Sequence, residues 1–71
     1  SRLSVSPSAA RSSITLAGYA GESTGVEIYS ISGALVASVK EYKGESIDVS
    51  GLASGIYIVK TNVSTAKFVK L

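Results

Sequence analysis

A chain of 71 residues can build one domain and no more, and at that size it buries only about 60% of the surface its unfolded form exposes. The absence of cysteine and histidine removes disulfides, thiolate and imidazole metal sites, and the nucleophile–base pairs that most hydrolases use. A formal charge of +2 is too small to point to nucleic acid, while 45% hydrophobic against 17% charged residues favours a folded domain over a disordered tail.

In chain order, strand signals dominate. Leu3-Ser4-Val5 opens the chain almost directly on a strand, which predicts a fragment boundary; if the protein is exported, its leader belongs upstream of Ser1. After the Pro7-Ser8 break, Ser12-Ser13-Ile14-Thr15-Leu16-Ala17 alternates, with Ile14 and Leu16 on one face. A loop from Gly18 to Gly25 leads into Gly25-Val26-Glu27-Ile28-Tyr29, where Val26 and Ile28 share a face. Ser30-Ile31-Ser32-Gly33 reads as a hairpin turn with a bulge, its glycine in the left-handed position that a Cβ disfavours. Leu35, Ala37 and Val39 then alternate with Val36, Ser38 and Lys40, and Glu41 to Ser46 is the one stretch able to hold a helical turn.

Ser46-Ile47-Asp48-Val49 is a short strand, and Ser50-Gly51-Leu52-Ala53-Ser54-Gly55 a tight loop with Leu52 tucked beneath it. Gly55-Ile56-Tyr57-Ile58-Val59-Lys60-Thr61 is nearly continuous apolar, the pattern of a central strand covered on both faces. Asn62-Val63-Ser64 turns the chain into a last strand, Lys67-Phe68-Val69-Lys70-Leu71. The chain is dense in residues that favour strands and turns over helix. The expectation is an all-β fold, a small seven-stranded immunoglobulin-like Greek-key sandwich.

Reactive groups do not assemble. The fourteen serines lack a general base, and a Ser–Lys dyad is only a formal alternative. Glu22, Glu27, Glu41, Glu45 and Asp48 are scattered over positions that suit solvated faces and turns. No enzyme activity, metal or cofactor is expected. The seven glycines show no phosphate-cradling spacing. Asn62-Val63-Ser64 fits a glycosylation tripeptide but makes a sensible turn. The tyrosines Tyr19, Tyr29, Tyr42 and Tyr57 suggest a stacking platform, although core packing with a tethered hydroxyl is the better account of those in apolar runs. After Asp48 the chain carries Lys60, Lys67 and Lys70 and no acid. These lysines either blunt edge strands or present a basic end to a receptor. No run approaches the roughly 20 apolar residues of a membrane helix.

The informative segments are Val26-Glu27-Ile28-Tyr29-Ser30-Ile31-Ser32-Gly33-Ala34-Leu35-Val36, then Ile47-Asp48-Val49-Ser50-Gly51-Leu52-Ala53-Ser54-Gly55-Ile56-Tyr57-Ile58-Val59-Lys60, then Lys67-Phe68-Val69-Lys70-Leu71. In that order and spacing they resemble the type A sorting domain of the bacterial type IX secretion system. Its members carry a "V-x-I-Y-x-x-x-G-x-x-V" hairpin, an "L-x-x-G-I-Y-I-V" strand and a lysine-bearing last strand. The resemblance spans about residues 3 to 71. It departs from the family at Ser6-Pro7-Ser8, where members usually have Pro-Asn-Pro, which leaves the pairing of the first strand open.

The resemblance implies a single C-terminal sorting domain over residues 1–71, a piece of a larger cargo of Bacteroidetes-type bacteria. Such cargo crosses the periplasm, is recognised by an outer-membrane translocon and its shuttle protein, and reaches the outer membrane, cell surface or medium. A sortase-like cysteine protease usually removes the domain. The expectation is that Gly51, Gly55 and Leu52 set the loop shape, Tyr57 anchors the core and Gly33 belongs to the hairpin motif, while Lys67, Lys70 and Leu71 are read directly, the last strand docking by strand addition. Deleting the last two residues is expected to leave the fold largely intact and to stop export of a fused reporter. The alternatives are an immunoglobulin- or fibronectin-like binding module of a surface adhesin, and an assembly element forming a homodimer through edge strands.

Overall fold

The alternation of side chains is realised as two stacked sheets. A computed structural model of the chain, which describes residues 3–71, contains eight strands and, among the described residues, no helix. The strands are β1 (Ser4–Ser6), β2 (Ala9–Ala10), β3 (Ser13–Ala17), β4 (Thr24–Ser30), β5 (Leu35–Tyr42), β6 (Ile47–Asp48), β7 (Gly55–Lys60) and β8 (Thr65–Lys70). One sheet has the order β1-β3-β6, the other β2-β8-β7-β4-β5. All pairings are antiparallel except β2 with β8, where Ala9 lies beside Val69 and Ala10 beside Lys70.

The chain divides its first strand between the layers: β1 joins β3 in the small sheet, and β2 joins β8 in the large one. It crosses between sheets again after β2, after β3, after β5 and after β6. Alternation then fills the space between the layers. Ile14 and Leu16 point in from β3 and Ile47 from β6, against Val26 and Ile28 of β4, Tyr57 and Val59 of β7 and Phe68 of β8, all buried. Burying each such side chain contributes about 1.5–3 kcal/mol.

Eight strands are present where seven are expected. The additional one, β2, is two alanines after Pro7, with no β-branched residue to signal a strand. Glu41 and Tyr42 extend β5 instead of forming a helical turn. A bulge between Thr24 and Val26 in the β4–β5 ladder re-phases the alternation, so that Tyr42 lies fully buried in the core. The strand β7 is central, between β8 and β4, but it is covered on one face only: Tyr57 and Val59 are buried while Ile56 is 47% exposed.

Candidate recognition surface

The loop between β6 and β7 is shaped by short-range hydrogen bonds. The Asp48 carboxylate accepts the Ser50 N–H at 2.9 Å, and the Leu52 N–H donates to the Val49 carbonyl at 3.0 Å. The Ser50 hydroxyl and N–H hold the Asp48 carboxyl below its ordinary pKa by favouring the charged form. Leu52 is half-buried and packs against the core beneath the loop. Gly55 leaves the loop at φ 152° with nothing within 4 Å of the place a Cβ would take; its requirement is conformational, not spatial. Tyr57 then fastens loop to strand. Its hydroxyl donates to the Ala53 carbonyl at 2.7 Å, and its ring stacks on Phe68 with centroids 5.5 Å apart.

The β4–β5 turn is built similarly. The Gly33 N–H donates to the Ser30 carbonyl and the Ser30 N–H to the Ala34 carbonyl, both at 2.9 Å. Gly33 sits at φ 96°, and the expected bulge appears as a register shift between Ile28 and Tyr29. Register places this turn and the β6–β7 loop at the same end of the sandwich, because Ser30 lies opposite Tyr57. Gly55 lies opposite Lys70, so β8 also ends there. Gly33, Leu52, Gly55, Tyr57, Lys70 and Leu71 are therefore gathered at one end, with Lys67 three residues away along β8.

The last strand differs from expectation in two respects. Its C-terminal end is not an edge. The strand β2 closes the outer side there, pairing with Val69 and Lys70, with the Val69 N–H donating to the Ser8 carbonyl at 2.8 Å and the Leu71 N–H to the Ala10 carbonyl at 2.9 Å. The sheet edges are β2 and β5. Nor are all three terminal positions accessible. Lys67 is exposed and Leu71 is 49% exposed, whereas Lys70 is 8% exposed. Lys70 shares the inward face with Phe68, and its Nζ donates to the Leu71 carbonyl at 3.1 Å. Its stem lies along apolar surface with its ammonium bonded to the Leu71 backbone oxygen, so of the three terminal side chains Lys67 and Leu71 are accessible and Lys70 is not.

The outward face of the large sheet carries the remaining chemistry. Lys67 is paired with Ile58, Ile58 with Tyr29, and Tyr29 with Leu35. One row further along, Lys60 is opposite Glu27. Glu27 accepts a 2.6 Å hydrogen bond from the Tyr29 hydroxyl, which holds the phenol above its ordinary pKa. A groove between β4 and β5 is lined by Glu27, Ser38, Lys40, Lys60 and Asn62. Among the described residues no group of acidic or metal-ligating side chains could hold a metal ion, and the Ser30 and Ser32 hydroxyls bond to each other. The arrangement presents shape and charge. The family model described as "Secretion system C-terminal sorting domain" matches residues 4–71. No curated protein and no solved structure matches the chain.

Proposed function

We propose how this chain is read, from the premise that it belongs to the secretion system C-terminal sorting domain family. It is a sorting signal of the type IX secretion system, a tail that sends a passenger to the cell surface or beyond. The reading proposed is that an outer-membrane translocon with its shuttle protein engages the end of the sandwich at which Gly33, Leu52, Gly55 and Tyr57 converge, after transit through the periplasm. A sortase-like cysteine protease then acts on the docked passenger. Lys67 and Leu71 are the side chains read directly. The supporting observation is that Lys67 is exposed on β8 and Leu71 just past its end, while the glycines and Tyr57 beside them fix backbone shape.

An immunoglobulin-like Greek-key topology underlies the reading. Two features support it: a first strand shared between layers, its second part running parallel to the last strand, and a tyrosine near the start of the penultimate strand bonding back to the chain four residues earlier, the arrangement of a tyrosine corner.

The test is export of a reporter fused ahead of the domain in a bacterium that carries the type IX system. Lys67→Glu and Leu71→Ser are each expected to lower export several-fold while leaving the melting temperature of the isolated fusion unchanged. Deleting Lys70 and Leu71 is a poorer test than sequence alone implies, because it also removes the Leu71–Ala10 hydrogen bond and the buried Lys70 stem. Export of both point variants at the parental level would exclude direct reading by β8.

A further inference from the structure

The outward face of the five-stranded sheet carries an apolar band that nothing in the fold covers. Val69 pairs with Ile56, Ile58 follows Ile56 on the same side of β7, Ile58 pairs with Tyr29, and Tyr29 pairs with Leu35. The band thus runs diagonally across β8, β7, β4 and β5. Leu35 is 54% exposed and Val69 40%. Isolated exposed apolar residues are ordinary, but a contiguous band rimmed by charge marks an interaction site.

The rim is cationic. Lys67 and Lys60 stand on β8 and β7, and Lys40 on β5 borders the groove that Lys60 also lines. The one carboxylate among them, Glu27, is held by the Tyr29 hydroxyl. Among the described residues the only ion pair is Lys43 with Glu41, at 3.9 Å, so Lys40, Lys60 and Lys67 keep their charge for a partner.

We propose that this face, not β8 alone, is the docking surface, and that its occupant is a protein surface with an apolar centre flanked by carboxylates. The inference rests on the sorting reading above and extends its contact set to Leu35 and Lys40 on the far edge strand. Charge complementarity selects the occupant, because a second copy of the domain would bring the same lysines and the same committed Glu27 to the contact.

The test uses the reporter fusion with three sets of substitutions. Leu35→Ser with Ile56→Ser removes apolar contact, and Lys40→Glu with Lys60→Glu reverses the rim without touching β8. Lys40→Arg with Lys60→Arg preserves the charge. The first two are expected to cut export at least tenfold and the third to leave it near parental, with circular dichroism and melting temperature held as the check on folding. If Lys67→Glu blocks export while the Leu35, Ile56, Lys40 and Lys60 variants are exported normally, the broad face is wrong and reading by β8 stands. If the unaltered fusion stays in the periplasm, the sorting reading fails and the docking face with it. Two further results overturn the proposed occupant. One is a concentration-dependent dimer of the domain that Leu35→Ser with Ile56→Ser abolishes. The other is sedimentation with phosphatidylglycerol vesicles that Lys40→Glu with Lys60→Glu abolishes.

Discussion

The hydroxyl of Tyr42, on the outermost strand of the large sheet, accepts the backbone N–H of Leu16 on the central strand of the small one at 2.8 Å. Both residues are buried, so one hydrogen bond fastens the two layers where no strand ladder can. β6 pairs with β3 only at Ser13 and Ile14. Tyr19 adds an edge-on ring contact to Tyr42, with centroids 5.6 Å apart. Tyr42→Phe keeps the ring and leaves the Leu16 N–H without that acceptor. The expected cost is about 1–3 kcal/mol, and each kcal/mol lowers the melting temperature of a domain this size by roughly 4–8 °C. Thermal and urea unfolding of the variant measure it; an unchanged melting temperature would show that the layers are held by packing alone.

Tyr42 also marks the limit of what is legible in the sequence. It lies in Glu41 to Ser46, the one stretch whose sequence could hold a helical turn, and only the long-range bulge opposite Thr24 and Val26 turns it inward on a strand. Where alternation is strong, as in Ile14 with Leu16 or Val26 with Ile28, sequence and structure agree in face as well as in strand. β2 escapes because two alanines carry no strand signal. The turn at Gly33 and the tight loop from Ser50 to Gly55 with Leu52 beneath it are legible because their signals are local. The place of Lys70 is not, since lysines on a terminal strand look alike until the strand's neighbours fix which side is inward. The continuous apolar run of β7 predicts cover on both faces, yet Ile56 remains exposed; that mismatch is where the proposed docking face begins.

The Tyr57 corner makes a separable prediction. Tyr57→Phe loses the 2.7 Å bond to the Ala53 carbonyl while the ring keeps its stacking on Phe68. The loss is expected to be about 0.5–1.5 kcal/mol, with increased amide exchange confined to residues 50–55. Because that loop belongs to the proposed reading end, export of a fusion should fall more than the change in stability explains. Equal exchange rates in the two proteins would remove Tyr57 from any role in shaping the loop.

Gly33 is constrained by conformation alone. At φ 96° with open space around its Cα, Gly33→Ala meets no neighbour, and its cost is that of the left-handed backbone, about 1–2 kcal/mol. Gly33→Asn should cost less, because asparagine visits that region more readily. The order glycine, asparagine, alanine in urea midpoints checks this, and a reversed order would place the constraint elsewhere.

The pH dependence follows from two exposed carboxyls and the half-buried Tyr29. The Ser50 hydroxyl and N–H lower the Asp48 pKa, and the backbone N–H of Lys43 lowers that of Glu45. A carboxyl whose folded pKa is depressed contributes stability above its unfolded value, about 4, and that contribution is lost as pH falls through the folded pKa. Tyr29 has the opposite sign. Its hydrogen bond to Glu27 raises its pKa, so its contribution is present below about pH 10 and lost above it. Melting temperature should therefore be flat through neutral pH and decline on both sides. Asp48→Asn with Glu45→Gln should flatten the acid limb, and Tyr29→Phe the alkaline one. An acid limb that survives the double substitution would assign it to other carboxylates.

The placement of Lys70 separates structural from recognition lysines in one experiment. Its stem lies on the inward face of β8 and its ammonium bonds the Leu71 carbonyl, so Lys70→Met retains length and apolar contact and gives up one hydrogen bond. Volume-conserving exchanges of this kind usually cost less than about 1.5 kcal/mol, and export of a fusion should remain near parental. Lys67→Met removes an exposed charge from the outward face at little cost in stability and should lower export. The same pair predicts a difference in salt response: added salt should weaken export or docking of the parent and of Lys70→Met, but have less effect on Lys67→Met. If Lys70→Met loses export while remaining fully folded, the buried lysine is read after all, and docking must first lift the end of β8 away from β2.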